Sequence, residues 1–178
     1  RVIDVSEHQG TINWDAVKGH IDGAILRCGY GDNIASQDDK QWKRNADECT
    51  RLGIPFGVYI YSYATSDAQA RSEAEHVLRL ISGYKLSYPI YLDLEQAGTE
   101  TGAIQRANIF GDIIENAGYW CGVLRQYKLV DKLPCRIGTV CKNGWSQYKF
   151  GSVHIRAHMI SGSIRQADLF REFPETWI

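Results

Sequence analysis

Two carboxylates spaced two residues apart at the end of an apolar stretch are the residues of this chain best suited to chemistry. Residues 89–95 read Pro-Ile-Tyr-Leu-Asp-Leu-Glu, a pattern typical of a buried β-strand that ends where its loop begins. Because alternate side chains of a strand point the same way, Asp93 and Glu95 share one face with Tyr91. Two such carboxyl groups repel each other, so we expect one to keep its proton and the other to stay ionised. That division suits a general acid and an anionic stabiliser, whereas the alternative is a chance pair of acids at a solvated strand end.

Another acid and several polar side chains fall at or near the ends of other predicted strands. Asp4 lies in the first strand near its end, Arg27 ends the second, and Tyr61 and Tyr63 share one face of the third. In parallel α/β folds, functional groups gather at the carboxyl ends of the strands, so this convergence favours the catalytic interpretation. The alternative is that charged residues simply prefer strand ends. For Tyr59, on the same face as Tyr61, we favour a role in filling the interior.

The elements that would position these residues alternate regularly along the chain. Apolar strands are followed by segments with helical spacing at 38–51, 66–81 and 103–117, which predicts βαβ units and a parallel sheet with right-handed crossovers. After Val123 the helical spacing is lost, and short alternating pieces such as 152–156 predict a β-rich closing section over 124–178. Since no Pro- or Ser-rich linker separates this section, residues 1–178 are predicted to form one domain.

Composition excludes several classes of partner. Twenty basic and 21 acidic residues leave a net charge of −1, so nothing suggests a polyanion and nucleic acid is not expected as a substrate. No apolar run approaches the roughly 20 residues needed to span a bilayer, and no signal-peptide pattern opens the chain. Five cysteines without a CxxC pair argue against a zinc site and a dense disulfide framework. One disulfide stays open if the protein works outside the cell.

The sequence does not support a metal site, nucleophilic catalysis by serine or nucleotide binding. His154 and His158 are four residues apart, but the surrounding alternation favours a strand and no third ligand is evident, so no metal site is predicted. Ser6 and His8 are close in sequence, yet no nucleophile-elbow motif accompanies them. No glycine-rich phosphate loop is found, so no nucleotide or other cofactor is expected.

Four motifs, taken with their order and spacing, resemble the glycoside hydrolase family 25 lysozymes, the N-acetylmuramidases of bacteria, fungi and phages also called the Chalaropsis type. They are Asp-Val-Ser-Glu-His-Gln-Gly at 4–10 with Ile-Asn-Trp at 12–14, Arg-Cys-Gly-Tyr-Gly at 27–31, Gly-Val-Tyr-Ile-Tyr-Ser-Tyr-Ala at 57–64, and Tyr-Leu-Asp-Leu-Glu at 91–95. The resemblance extends over residues 2–123. It implies an irregular TIM-like (β/α)5(β)3 barrel that cleaves the β-1,4 bond between N-acetylmuramic acid and N-acetylglucosamine.

The resemblance also implies roles for individual residues. Glu95 matches the general acid, Asp93 its partner carboxylate and Asp4 the N-terminal acid of the site. The residues implied to line the sugar groove are Arg27, Tyr61, Tyr63 and Gln9. Asp93 would either face the oxocarbenium charge or orient the 2-acetamido group of the substrate, and both routes stay open. The implied partner is bacterial peptidoglycan, so the protein would act outside the cytoplasmic membrane, either secreted or released as a phage endolysin.

The last third departs from the family pattern. Leu124, Arg125 and Gln126 replace the usual Tyr and small residue, and no Trp-x-x-x-Tyr stretch is found. Residues 145–148 and 167–170 are imperfect versions of two later motifs, which makes Asp168 the candidate fourth carboxylate. The alternatives to a muramidase are a catalytically weak or inactive peptidoglycan-binding barrel and a different glycosidase specificity, such as chitin.

Overall fold

A computed structural model describes residues 1–125 together with strand segments at 138–141, 146–150, 153–158 and 168–169. The strands are β1 (Val2–Val5), β2 (Gly23–Tyr30), β3 (Phe56–Tyr61), β4 (Ile90–Leu94), β5 (Cys121–Arg125), β6 (Gly138–Cys141), β7 (Ser146–Phe150), β8 (Val153–His158) and β9 (Asp168–Leu169). The helices are α1 (Trp14–Val17), α2 (Trp42–Leu52), α3 (Asp67–Ile81) and α4 (Ala103–Asn116). Short 3₁₀ turns lie at Glu7–Gln9 and Ala35–Gln37.

The first six strands form one sheet in chain order, and every neighbouring pair is parallel. This confirms the predicted α/β class with its parallel sheet, the arrangement of an irregular TIM-like barrel. Strands β7, β8 and β9 pair antiparallel in a second sheet. The β-rich character predicted after residue 124 is therefore seen in the described segments. That residues 1–178 form one domain stays a prediction, because much of 126–178 lies outside the described residues.

Two apolar clusters occupy the two faces of the parallel sheet. The outer cluster packs the strands against the helices and includes Leu26, Val58, Leu92, Val77 and Phe110. The inner cluster consists of Val2, Ile25, Tyr59, Tyr91 and Leu124. Because alternate residues of a strand face opposite sides, the inner face continues towards the strand ends with Asp4, Arg27, Tyr61 and Asp93.

Several element boundaries differ from the sequence-based expectation. Helix α2 begins at Trp42 rather than Asp38, because the carboxylate of Asp39 accepts hydrogen bonds from the N–H groups of Gln41 (2.9 Å) and Glu7 (2.9 Å). It ends as predicted at Gly53, whose φ of 66° is left-handed. Strand β3 ends at Tyr61, so Tyr63 lies in the loop beyond it.

The described cysteines are packed thiols. Cys28, Cys49 and Cys121 are buried and unpaired with one another, and burial raises the pKa of each. The side chains of Cys135 and Cys141 lie outside the described residues. Within the described part of the chain, no helix has both the length and the apolar character required to cross a membrane.

Candidate active site

Tyr59 lies close to two of the predicted acids on the inner face of the sheet. Its hydroxyl donates a hydrogen bond to the carboxylate of Asp4. Burial raises the pKa of Tyr59, and the negative charges of Asp4 and Asp93 raise it further, while Arg27 opposes them. Strands β1, β2, β3 and β4 thus bring Asp4, Arg27 and Asp93 close to one phenol. Tyr59 fills the interior as predicted, being 8% exposed, but its contact with Asp4 was not foreseen.

Glu95 follows the last residue of β4 and is half-buried. Tyr61 lies near both Glu95 and Asp93. In the register of β3 and β4, Tyr61 pairs with Asp93. Burial raises the pKa of Tyr61, and the nearby Asp93, Tyr63 and Glu95 raise it further. The two carboxylates proposed from their spacing therefore lie close to the same tyrosine.

Three tyrosines form an aromatic wall beside these acids: Tyr30 at the end of β2, Tyr61 at the end of β3, and Tyr63 in the loop after β3. The rings of Tyr30 and Tyr63 meet edge to face, with centroids 6.1 Å apart. The rings of Tyr61 and Tyr63 are 5.2 Å apart and tilted by 56°. Tyr63 is 45% exposed, so the wall presents an open aromatic surface of the kind that sugar rings stack on. Tyr30 was missed by the sequence analysis, although Gly-Tyr-Gly at 29–31 marks the strand end.

Arg27 is bound mainly by acids of the protein itself. Its Nε donates to Oδ2 of Asp39 (2.7 Å) and its Nη2 donates to Oε1 of Glu7 (2.9 Å). Burial alone would lower the pKa of Arg27, but the hydrogen bond and charge of Asp39 outweigh it and raise that pKa. The guanidinium therefore holds the 3₁₀ turn Glu7–Gln9 against β2. The contact of Arg27 with sugar stays a prediction. The pairing of Arg27 with Asp39 and Glu7 was not predicted, because no periodic pattern in the sequence marks these two acids as its partners.

The first motif is organised around a capped turn. Oε1 of Gln9 accepts hydrogen bonds from the backbone N–H of Ser6 (2.7 Å) and from its hydroxyl (3.0 Å). Gln9 is exposed, and its role as a sugar ligand is not tested by these contacts. Nε2 of His8 lies 3.3 Å from Nη1 of Arg27. The ring of His8 thus contacts Arg27, while the hydroxyl of Ser6 binds the side chain of Gln9.

Comparison with known proteins identifies the family to which this arrangement belongs. The model of Glycosyl hydrolases family 25 matches residues 3–123. This chain belongs to glycosyl hydrolase family 25. The resemblance drawn from the four motifs is confirmed. A search of curated proteins returned no significant match.

Solved structures of family 25 proteins share the fold of the chain. It is similar to the modular autolysin LytC of Streptococcus pneumoniae in complex with a synthetic peptidoglycan ligand, with 34% identity, a TM-score of 0.64, and coverage of 73% of this chain and 33% of that one. The family 25 glycosyl hydrolase of Bacillus anthracis gives 15% identity, a TM-score of 0.70, and coverage of 97% and 89%. The catalytic domain of endolysin ply40 from Listeria monocytogenes bacteriophage P40 gives 21%, 0.66, and coverage of 75% and 68%. The matched region is about a third of the LytC chain.

A buried arginine anchors the loop that follows Glu95 in this family 25 chain. Arg106 lies on α4 and is 5% exposed. Its guanidinium donates to the carbonyl oxygens of Thr101 (2.7 Å) and Thr99. A third carbonyl contact reaches Thr65 in the loop after β3, at 3.4 Å. Arg106 therefore ties together the two loops that carry Glu95 and Tyr63.

A buried carboxylate on α3 binds the loop after β3. Glu73 is 1% exposed, and it accepts hydrogen bonds from the hydroxyl of Ser62 (2.7 Å) and the N–H groups of Tyr63 (2.8 Å) and Ala64 (3.0 Å). Burial raises the pKa of Glu73 to about 7, and these hydrogen bonds only partly oppose it. The sequence signal, an acid inside the apolar stripe of α3, was overlooked.

We expect the folded chain to lose stability as the pH rises from about 5 to about 8, because of Glu73. The pKa of this group is 4.5 in the reference state and about 7 in the folded chain. The folded state therefore binds more protons between these values, and the stabilisation present below pH 4.5 is lost as the pH rises through 7. The full shift corresponds to about 3 kcal/mol at most. Urea unfolding at several pH values measures it.

The control for this pH dependence is Glu73→Gln, which removes the titrating group and keeps the size of the side chain. The two proteins differ only at this residue, so the difference between their pH profiles isolates Glu73. Asp38, by contrast, affects the stability of the folded chain at acidic pH. Burial would raise its pKa, but hydrogen bonds from Arg79 and His76 lower it, so its stabilisation is lost only at acidic pH. Parallel profiles for wild type and variant would contradict the expectation.

The fourth predicted carboxylate lies in the second sheet. Asp168 lies in β9, paired in register with His158 of β8, and its side chain lies outside the described residues. His154 and His158 occupy a strand, as predicted from the alternation. Among the residues that the structure describes, no cluster of three or more histidine, cysteine or acidic side chains could hold a metal ion.

Proposed function

We propose that this family 25 chain is an N-acetylmuramidase that hydrolyses the β-1,4 bond between N-acetylmuramic acid and N-acetylglucosamine in bacterial peptidoglycan. The observation that carries the proposal is the grouping of Asp4 and Asp93 around Tyr59, and of Asp93 and Glu95 around Tyr61, beside an open aromatic wall. The grouping lies at the carboxyl ends of parallel strands, where barrel enzymes hold their active sites. The peptidoglycan ligand of the similar LytC autolysin supports the choice of substrate.

Glu95 serves as the general acid in the proposed reaction. Its carboxyl proton passes to the glycosidic oxygen as the bond from that oxygen to the anomeric carbon breaks, which releases one glycan end as an alcohol. Asp93 stays ionised. It either stabilises the positive charge that develops on the sugar or orients the 2-acetamido group for attack on the anomeric carbon. Water then completes the hydrolysis, and its proton restores Glu95.

The remaining site residues bind and orient the glycan. Tyr61 and Tyr63 offer ring faces for sugars and hydroxyl groups for hydrogen bonds. Arg27 and Gln9 are proposed as further sugar contacts. Asp4 accepts the hydrogen bond of the Tyr59 hydroxyl, which also lies near Asp93, and Asp168 is the proposed fourth acid. A hydrolysis of this kind requires no cofactor.

The proposed substrate lies outside the cytoplasmic membrane, which determines where the protein would act. We propose action at the cell wall, after secretion or after release by a phage. Autolysins and phage endolysins are both found among the similar solved structures, so the fold is compatible with either origin.

The chemistry of the new reducing ends tests the proposed function. Purified peptidoglycan is digested with the wild-type chain, the products are reduced with borohydride and hydrolysed, and the reduced sugars are identified. A muramidase gives muramitol. Glucosaminitol as the reduced sugar would overturn the muramidase assignment, and digestion of chitin oligomers in its place would establish the chitinase alternative.

A protein that only binds peptidoglycan gives a different outcome in the same experiment. It would sediment with insoluble cell walls and release no new reducing ends. That result would establish the alternative of a catalytically inactive binding barrel, and the proposed roles of Glu95 and Asp93 would then be wrong.

A further inference from the structure

We propose that Glu73 is a positioning residue that holds Tyr63 in the aromatic wall of the glycan groove. The inference rests on the proposed function, because it assigns the wall to glycan binding. Glu73 itself is on the helix side of the sheet, bound to Ser62, and touches no substrate. It acts through the backbone of the loop that carries Tyr63.

The contacts of Glu73 converge on three consecutive residues. Oε1 accepts the N–H groups of both Tyr63 (2.8 Å) and Ala64 (3.0 Å), while Oε2 accepts the hydroxyl of Ser62 (2.7 Å). Ser62 is 1% exposed, and its side chain points towards Glu73 of α3, while the rings of Tyr61 and Tyr63 contact each other in the aromatic wall. One carboxylate therefore satisfies three donors exactly where the chain leaves β3.

Tyr63 depends on such support because it lies beyond the strand. The sheet extends to Ser62, whose N–H donates to the carbonyl oxygen of Asp93 at 2.9 Å, and the next two N–H groups bind Glu73. The ring of Tyr63 is 45% exposed and meets Tyr30 and Tyr61 only by its edges or at a tilt. Neighbouring side chains restrain the ring of Tyr63 on one side only, so the direction of the ring depends on the backbone of Tyr63.

The same helix also supports the other edge of the wall. His76 is one turn beyond Glu73 and fully buried, with Nδ1 3.1 Å from the carbonyl oxygen of Gly31 and Nε2 2.8 Å from Oδ1 of Asp38. Gly31 adjoins Tyr30. Helix α3 thus contacts the backbone of Gly31, next to Tyr30 at the end of β2, and the loop that carries Tyr63.

The chemistry of three substitutions separates positioning from simple burial of a charge. Glu73→Gln keeps an oxygen for the two N–H groups and donates its amide hydrogen to the hydroxyl of Ser62. Glu73→Ala removes both carboxylate oxygens and with them three hydrogen bonds, so that the N–H of Tyr63 loses its acceptor and the N–H of Ala64 keeps only the Ser62 hydroxyl at 3.3 Å. Glu73→Asp keeps the charge but withdraws the carboxylate by one methylene, which serves the same purpose if Glu73→Ala does not fold.

The experiment measures kinetics and binding with a soluble peptidoglycan tetrasaccharide. We expect Glu73→Ala to raise KM and the dissociation constant about tenfold, the equivalent of one lost contact, with kcat within about twofold of wild type. Glu73→Gln restores both constants. Amide hydrogen exchange at Tyr63 and Ala64 accelerates in Glu73→Ala and not in Glu73→Gln, which a general loss of stability would not confine to these two amides.

A double-mutant cycle with Tyr63→Ala tests whether Glu73 acts through Tyr63. In the Tyr63→Ala background, Glu73→Ala is expected to have no further effect on KM, because the ring that it positions is already absent. Additive effects, or an unchanged dissociation constant in Glu73→Ala, would overturn the positioning role. If the wild type binds the tetrasaccharide but cleaves nothing, the proposed function fails while the dissociation constants still test Glu73.

Discussion

Glu95→Gln abolishes most of the hydrolysis of purified peptidoglycan and leaves the affinity for the glycan nearly unchanged. Glutamine matches the size of glutamate but has no carboxyl proton to give to the glycosidic oxygen. General acid catalysis contributes about 10²–10⁴-fold to rate, so we expect kcat to fall by at least that order with KM within a few fold. The measurements are release of reducing ends and co-sedimentation with cell walls.

The matched control for this variant is Glu75→Gln. Glu75 lies on the exposed side of α3, away from the tyrosines and acids of the site, and the substitution makes the same chemical change. We expect wild-type activity from it. If Glu95→Gln retained full activity while Asp93→Asn or Asp4→Asn lost it, the general acid would have to be reassigned to another carboxyl group.

Asp39→Ala destabilises the folded chain by about 3–5 kcal/mol, which is the usual cost of removing one partner of a buried ion pair. The side chain of Asp39 is fully buried, and that of Arg27 is 10% exposed. Removing the carboxylate leaves a buried guanidinium with Glu7 as its remaining acid and leaves the N–H groups of Glu7 and Gln41 without their acceptor. Urea unfolding, monitored by tryptophan fluorescence, gives the free energy of unfolding.

Two further variants serve as comparisons for the stability of Asp39→Ala. Lys43→Ala removes a solvent-exposed ion pair with Asp47, in which Lys43 is 79% exposed, and should cost about 0–1 kcal/mol. The double variant Arg27→Met with Asp39→Leu removes both charges together. It is expected to recover the part of the stability that the unpaired guanidinium costs, while the N–H groups of Glu7 and Gln41 stay without their acceptor. A cost for Asp39→Ala as small as that for Lys43→Ala would contradict the assigned role of this ion pair.

Much of the fold and part of the site followed from local patterns in the sequence. The period of two in residues 91–95 placed Tyr91 and Asp93 on one face, and the structure has both on the inner side of the sheet. Alternation of strands and helices predicted the parallel sheet, which by itself brings Asp4, Tyr61 and Asp93 to one end. Such features are readable because side-chain direction repeats along a strand and parallel strands share their carboxyl ends.

Other parts of the site depend on which segments become neighbours in space. Tyr59 on β3 binds Asp4 on β1, and Arg27 on β2 binds Glu7 and Asp39, which lie in two separate loops. Glu73 contacts the loop after β3 only because α3 packs behind that strand. No local period encodes these contacts, since each joins residues whose side-chain directions are set by different elements. The sequence by itself determined the class of fold and the acids at the strand ends. Only the tertiary structure decided which buried charges hold those strand ends and the aromatic wall in place. A buried acid or base is costly unless it is paired, and packing determines which partner lies within hydrogen-bonding distance.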